Sequence, residues 1–294
     1  TLWLDVDLRD RQQHAALEQI FHFHPLAIED TLNPDSRVKL DEYPEFLFAI
    51  IRGVRFEEAT EDPYDLETYN LNFFLGANYV VTVRAARSEA CDRMAGTVQA
   101  NPDVLEWGAA RLMHEIMDAA VDNYFPLVDR LDEFQESLEQ RVFERFDEGV
   151  LQEVFAVKRT VLALRRHLVP QREVFNVLSN RPSRFVPPET QLYFRDIYDH
   201  VLRLTETLDL NRELLSSTLD GYMSQVSNRL GTVTKTLSVF AAFTTPFVVV
   251  SGMWGMNFAH IPLSGSPHGF AILIAIQLGI GFTLLLVLRW LRFV

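Results

Sequence analysis

Ala241, Thr244 or Thr245, Val248 and, at the end of the run, Asn257 fall on one face of an apolar helix. Small and hydroxyl-bearing side chains placed this way have two uses. They let helices pack closely, as Ala, Ser and Thr do inside membranes. Or they wall a pore, where hydroxyls and carbonyls replace or hold the hydration shell of an ion. Pro246, within the run, frees a backbone carbonyl in an apolar setting and favours the pore reading.

The element that must carry this face is legible from charge. Between Lys235 and Arg289 there are 53 residues without Asp, Glu, Lys or Arg. That is enough for two helices across a bilayer, at about 20 apolar residues each. The stretch divides at Gly255-Met256-Asn257-Phe258-Ala259-His260-Ile261-Pro262, which predicts a two-pass hairpin. Upstream, no Pro occurs between Pro188 and Pro246, so one long helix is expected from about Glu189 into the hairpin. Its apolar stripe is Leu204, Leu208, Asn211, Leu215, Leu219, Tyr222, Val226, Leu230, Val233 and Leu237, which is 33 residues in nine steps. A mean step of about 3.67 is the eleven-residue repeat of straight or slightly right-handed bundles. Such a stripe can pack in part on the chain's own helices, but the portion entering the bilayer meets only one other span. A parallel, symmetric homo-oligomer is therefore expected.

The rest of the chain is of another kind. The net charge is -13, the last acidic residue is Asp220, and residues 221–294 carry four basic side chains, Arg229, Lys235, Arg289 and Arg292. Subtracting +4 from -13 leaves -17 on residues 1–220. An acidic body of this kind repels nucleic acid and accumulates cations. A single cysteine, Cys91, permits no internal disulfide and suits a reducing cytosol. Basic residues flank the outer ends of the hairpin and not its connection, so both termini are expected in the cytoplasm, with residues 258–268 outside. The chain opens on Thr1 and a strand-like Leu2–Val6; further sequence is expected before it, and no signal peptide is read.

Residues 1–95 alternate strand and helix signals, which predicts a small α/β domain with a mixed sheet. Strand-length runs lie at Leu2–Val6, Phe46–Arg55 and Leu71–Thr82. Arg11–Phe21 reads as helix with Ala16, Leu17 and Ile20 on one side, and Asn33-Pro34 and Asp62-Pro63 as turns. His22-Phe23-His24 reads as packing or capping. Asp103–Phe146 reads as one helix, broken near Asp147-Glu148-Gly149; Val150–Leu178 reads as a second, and residues 179–188 as a turn.

Asn228-Arg229-Leu230 through Lys235-Thr236-Leu237, Pro246 and Gly255-Met256-Asn257-Phe258 together resemble the first transmembrane helix and Gly-Met-Asn signature of CorA-type divalent-cation channels. Tyr193-Phe194-Arg195-Asp196-Ile197-Tyr198-Asp199-His200 resembles the stalk helix of that family. His24-Pro25-Leu26-Ala27-Ile28-Glu29-Asp30, Arg37-Val38-Lys39-Leu40-Asp41-Glu42-Tyr43 and Pro170-Gln171-Arg172-Glu173 resemble its cytosolic parts. The resemblance spans the whole chain in order.

What it implies is a funnel-shaped homopentamer in the cell membrane that passes Mg²⁺, and also Co²⁺ and Ni²⁺. The implied organisation is a cytosolic α/β domain at 1–100 and a helical hairpin at 101–188. A stalk and pore helix at 189–257 follows, with its first span at about 236–257. An external loop at 258–268, a second span at 269–290 and a basic tail at 291–294 complete the chain. Gly255, Met256 and Asn257 would form the selectivity filter, and Gly231, Thr234, Leu237, Ala241, Thr245 and Val248 the pore lining. Asp30 and Asp196, assisted by Glu29, would hold a regulatory cation between subunits. The chemistry is consistent: Mg²⁺ keeps its water tightly and takes octahedral oxygen, so a ring of neutral amides can hold the hydrated ion without trapping it. Two carboxylates about 5 Å apart repel by roughly 3 kcal/mol at an effective dielectric near 20, and a bridging Mg²⁺ reverses the sign.

The loop departs from the magnesium-type pattern. Ala259-His260-Ile261-Pro262 lacks the acidic residues usual there, and Trp254 stands where Tyr is usual. His260 and His268 occupy the loop, and neutral imidazole suits Zn²⁺, Ni²⁺ or Co²⁺ better than Mg²⁺. A ZntB-like zinc transporter, proton-coupled or not, is thus the alternative within transport. A membrane-tethered helical scaffold is the alternative outside it. For an enzyme the sequence supplies no phosphate-binding Gly loop, no His-Glu-x-x-His and no clustered nucleophile and base.

Overall fold

The computed structural model describes residues 1–10, 13, 17–56, 66–144, 148–256, 262–263 and 265–290. It contains two compact units, Thr1–Asp220 and Gly221–Val294. The first is built on five strands: β1 (Leu2–Asp7), β2 (Lys39–Glu42), β3 (Leu47–Phe56), β4 (Leu66–Leu75) and β5 (Tyr79–Arg84). Their order is β1-β5-β4-β3-β2. β1 runs parallel to β5 and every other pair is antiparallel, a mixed sheet. Leu47–Ile51 and Leu71–Leu75 are buried on both faces, which is why they read as continuous apolar runs and not as alternation. One face is filled by Phe23, Phe46, Phe48 and Phe74, with Phe23 and Phe74 stacked at 4.0 Å between ring centroids.

The run Leu71–Thr82, which reads as one strand, is two. The Gly76 N–H donates to the Tyr79 carbonyl at 2.9 Å and folds the chain back between β4 and β5. The expected helix across residues 11–21 is described only in part: Ala16 lies outside the described residues, and 17–19 are helical. Asp62-Pro63 also lies outside them. His24 caps α1 (Pro25–Leu32), its ring Nδ1 accepting the Leu26 N–H at 3.2 Å, while Phe23 is buried.

After α2 (Glu89–Ala100) and a 3-10 turn at Pro102–Trp107 come α3 (Ala109–Asp122), α4 (Tyr124–Glu144) and α5 (Glu148–Asn180). The single helix expected from Asp103 to Phe146 is therefore three pieces. Gly108 at φ +95° makes the first break, a conformation L side chains avoid. Pro126 explains the second, since it has no N–H for the carbonyl of Asp122. The Tyr124 hydroxyl donates to the Arg52 carbonyl at 2.9 Å, and the Gln171 amide donates to that hydroxyl while accepting the Arg52 N–H. This buried lock fastens α4 and α5 to β3.

Helix α6 runs over Pro188–Trp254, 67 residues, and α7 over Gly269–Trp290. Along α6, Phe194, Ile197, Val201, Leu204, Leu208 and Leu215 are all at most 1% exposed, whereas Leu230, Val233 and Leu237 are 62%, 58% and 66% exposed. The first part of the stripe packs on the chain's own helices, and the later part is left exposed among the described residues. Both α6 and α7 contain stretches long and apolar enough to cross a membrane, and these stretches are almost wholly unburied, unlike the core helix of a soluble protein.

Candidate functional site

Within the second unit, α7 lies against α6 through a stripe stepping by four residues: Gly269, Leu273, Gln277 and Gly281 are its buried positions. Gln277 reaches Ser251 and the Phe247 carbonyl, and Gly281 sits against Phe247 and Phe243. Phe243, Phe247 and Ser251 thus mark the face of α6 that α7 covers. At about 100° per residue, Gly231, Thr234 and Thr245 lie nearly half a turn from the centre of that face at Phe247, Ala241 about a third of a turn, and Leu237 and Val248 about a quarter turn, at its flanks. All six are exposed, so α7 covers one side of α6 and leaves the sequence-predicted pore face bare.

Four hydroxyls along this stretch of the helix have their protons committed. Thr245 donates to the Ala241 carbonyl at 2.7 Å, Thr244 to Phe240 at 2.9 Å, Thr236 to Thr232 at 2.9 Å and Thr232 to Asn228 at 3.0 Å. A hydroxyl that donates to its own helix leaves lone pairs outward as acceptors. A hydrated cation presents water O–H donors, so acceptors are what its wall requires. Gly255 and Met256 end the helix, the Gly255 N–H on the Ser251 carbonyl at 3.0 Å and the Met256 N–H on Met253 at 3.4 Å. Asn257 and His260 lie outside the described residues. His268 is exposed in the turn before α7.

In the first unit, Asp30 is on α1 and its Oδ2 accepts from Lys39 Nζ at 2.6 Å; the same ammonium pairs with Asp41 at 2.6 Å. Burial works against the charge of Lys39, but Asp30 and Asp41 outweigh it and raise its pKa. Glu29, Asp41 and Glu42 line the same open depression, with Leu26 and Tyr43. Asp196 is on α6, 69% exposed, with His200 Nε2 at 3.8 Å. Within one chain, then, Asp30 is held by Lys39 and Asp196 stands beside His200.

A constellation the sequence reading did not single out adjoins Asp196. Asp118 and Asp122 on α3 and His200 on α6 each offer a ligand atom within 4.8 Å of the others, the only such group of three or more among the described residues. His200 Nδ1 is 3.9 Å from both aspartates. Asp118 Oδ1 and His200 Nδ1 are buried without a hydrogen-bond partner. Burial, then repulsion from Asp122, holds the Asp118 carboxyl above its ordinary value. Orphaned ligand atoms facing each other at this range fit a divalent cation, the carboxylates suiting Mg²⁺ and the imidazole suiting Co²⁺, Ni²⁺ or Zn²⁺. The sequence signal was present: acidic residues spaced by four on a helix that is otherwise buried, and a histidine one turn after Asp196.

The fold and these sites define a class: an acidic α/β unit whose last helix runs on into a hairpin of two apolar helices. Residues 1–292 match the family described as CorA-like Mg²⁺ transporter protein, and the chain belongs to that family. It is 34% identical over 276 residues to the putative metal ion transporter YfjQ of Bacillus subtilis, covering 92% of this chain and 83% of that protein. It is 29% identical over 260 residues to the cobalt/magnesium transport protein CorA of Thermotoga maritima, covering 88% and 73%. In fold it is similar to the complete structure of the CorA magnesium transporter from Methanocaldococcus jannaschii, with a TM-score of 0.87 at 21% identity, over 98% of this chain and 89% of that one.

Proposed function

We propose that this chain is one protomer of a homopentameric divalent-cation channel in the cell membrane, carrying Mg²⁺ and also Co²⁺ and Ni²⁺, and closed by cytosolic Mg²⁺. The observation that carries the reading is the bare face of α6 that α7 leaves uncovered. Five copies set side by side would turn those faces inward and bury a surface that one chain leaves uncovered. Thr234 and Thr245 would accept hydrogen bonds from the ion's water, Leu237 would form an apolar constriction that dewets when closed, and Gly231, Ala241 and Val248 would complete the wall. Gly255, Met256 and Asn257 would form the mouth, with both termini cytoplasmic and residues 258–268 outside.

The regulatory cation would be held by Asp118, Asp122 and His200 with Asp196, and by Asp30 with Glu29 across the subunit contact. When bound, a divalent ion supplies charge to reverse carboxylate repulsion. Because it binds one arrangement of those carboxylates better than others, it shifts the population toward the closed state. Two relatives are named as cobalt/magnesium transport proteins, and carboxylates with an imidazole suit those ions.

The test is uptake into vesicles loaded with a Mg²⁺-sensitive dye. Asn257→Ala should lower uptake at least tenfold relative to the native protein; equal uptake would remove the proposed filter. Competition by Zn²⁺, Co²⁺ and Ni²⁺, repeated with His260→Ala and His268→Ala, separates the magnesium reading from the zinc one. Preferential Zn²⁺ transport that both histidine variants lose would favour zinc.

A further inference from the structure

We propose that Gln277 is a positioning residue for the ion pathway: through Ser251 it fixes the rotation of the segment that presents Gly255 and Met256. The inference rests on the transport reading above.

Helix α7 offers little polarity, with only Gln277 and Thr283 carrying polar side chains between Phe270 and Leu288. Thr283 is satisfied on its own helix, donating to the Gly279 carbonyl at 2.8 Å. Gln277 is not. Its Nε2 donates across to Ser251 Oγ at 2.9 Å and to the Phe247 carbonyl at 3.4 Å, and the residue is only 9% exposed. A primary amide in hydrocarbon is costly without partners, and Leu would fill the same space. An amide here is therefore explained by what it holds.

What it holds leads to the mouth. The Ser251 side chain meets Gln277 while the Ser251 carbonyl accepts the Gly255 N–H, the last regular bond before the signature. One turn earlier, Pro246 has no N–H for the Ala242 carbonyl, so the helix ladder is interrupted just before the tied segment. A second contact makes the tie directional. Gly281, one turn from Gln277, brings α7 so close that a Cβ there would lie 2.8 Å from Phe247 Cζ. Two contacts one turn apart on each helix, Gly281 on Phe247 and Gln277 on Ser251, resist rolling where one would not. With rotation fixed, Gly255 and Met256 keep a constant bearing relative to the bare face carrying Thr245 and Val248.

The experiment is reconstitution of the full chain and its Ser251→Ala, Gln277→Leu and doubly substituted variants, with Ser251→Thr as the conservative control. Uptake of Mg²⁺, Ni²⁺ and Ca²⁺ is measured per assembled complex, and thermal stability is measured in parallel. Each single substitution should change the Mg²⁺ to Ca²⁺ uptake ratio at least threefold. The double variant should be no worse than either single one, and Ser251→Thr should keep the native ratio. A merely structural tie would lower assembly yield or stability and leave the ratios alone, which would overturn the proposal. Ser251→Ala keeps the test available should Gln277→Leu fail to assemble. Native uptake with unchanged ratios in the variants sinks this proposal alone, whereas absence of native uptake sinks the transport reading and this one together.

Discussion

Asp30 and Asp118 are both helical aspartates of the α/β unit, with side chains 33% and 28% exposed. Their surroundings differ in one respect. Asp30 has a cation of its own, the Lys39 ammonium at 2.6 Å, which it shares with Asp41. Asp118 has a like-charged neighbour, Asp122, and an oxygen with no hydrogen-bond partner. The first site is neutralised by the fold and the second is left for something to neutralise. A free divalent ion should therefore act strongly at the Asp118 cluster. At Asp30 it must displace, or work beside, a tethered competitor.

The largest effect should come from removing the unneutralised cluster. A ligand at about 100 times its dissociation constant stabilises a folded state by about 2.7 kcal/mol, which in a chain of this size is a Tm increase of roughly 5–10 °C. The native full chain in detergent should show an increase of that order with Mg²⁺ or Co²⁺. Asp118→Asn combined with Asp122→Asn should show almost none. Without cation the order reverses, since the double variant no longer carries the repulsion, and it should melt above the native protein. A variant that keeps the native cation response would place the ion elsewhere and dissolve the contrast between the two aspartates.

Lys39→Met sharpens the contrast from the other side. The pair is partly exposed, so its own worth is within about 1 kcal/mol. Removing the ammonium also removes its repulsion of an incoming cation, and together these should lower the Mg²⁺ concentration for half-closure about fivefold. Lys39→Arg should leave it nearly unchanged. If Lys39→Met instead weakens closure, the ammonium is holding Asp30 in place for the ion and not competing with it.

This contrast was only half legible in the sequence. Asp30 and Asp196 could be named because each sits in a contiguous run resembling a known family, and the bare face of α6 because its residues are local to one helix. The cluster joins positions 118 and 122 to 200, and no periodicity within α3 says which helix lies over it. The same limit explains the misread elements. Apolar residues crowd both sides of Gly76 in Leu71–Thr82 because both faces of the sheet are covered there, and the run reads through the turn. The helical reading from Asp103 onward runs across Gly108 and Asn123 because helical segments lie on both sides of each break. In contrast, the charge-free span, the mixed sheet and the change of environment along α6 follow from composition and spacing alone. Which residue faces Ser251 depends on how α7 is rotated, and its apolar sequence leaves that open.

The smallest of these effects is the pH dependence of the cluster. Burial, with Asp122 and Glu115 adding repulsion against the favourable pull of His114 and His200, raises the Asp118 carboxyl above its ordinary 3.8. A folded state that binds this proton more readily than the unfolded chain is stabilised by acid. Its contribution is fully present below 3.8 and is lost as pH rises through the raised value. Cation binding has the opposite sign, because the ion needs the ionised form. On acidification from neutral pH, the melting temperature without cation should therefore gain a contribution from Asp118, while the Mg²⁺-induced increase shrinks. Glu115 opposes the first trend: the His114 imidazole, its Nδ1 3.4 Å away, and then the charge of Arg111 lower its carboxyl, so its contribution is lost as pH falls. Asp118→Asn isolates the two. In that variant the melting temperature without cation should only decline toward acid, and the difference from the native curve is the Asp118 contribution. A native curve with the same acid slope as the variant would mean that the Asp118 carboxylate is already neutralised at neutral pH, as Asp30 is by Lys39.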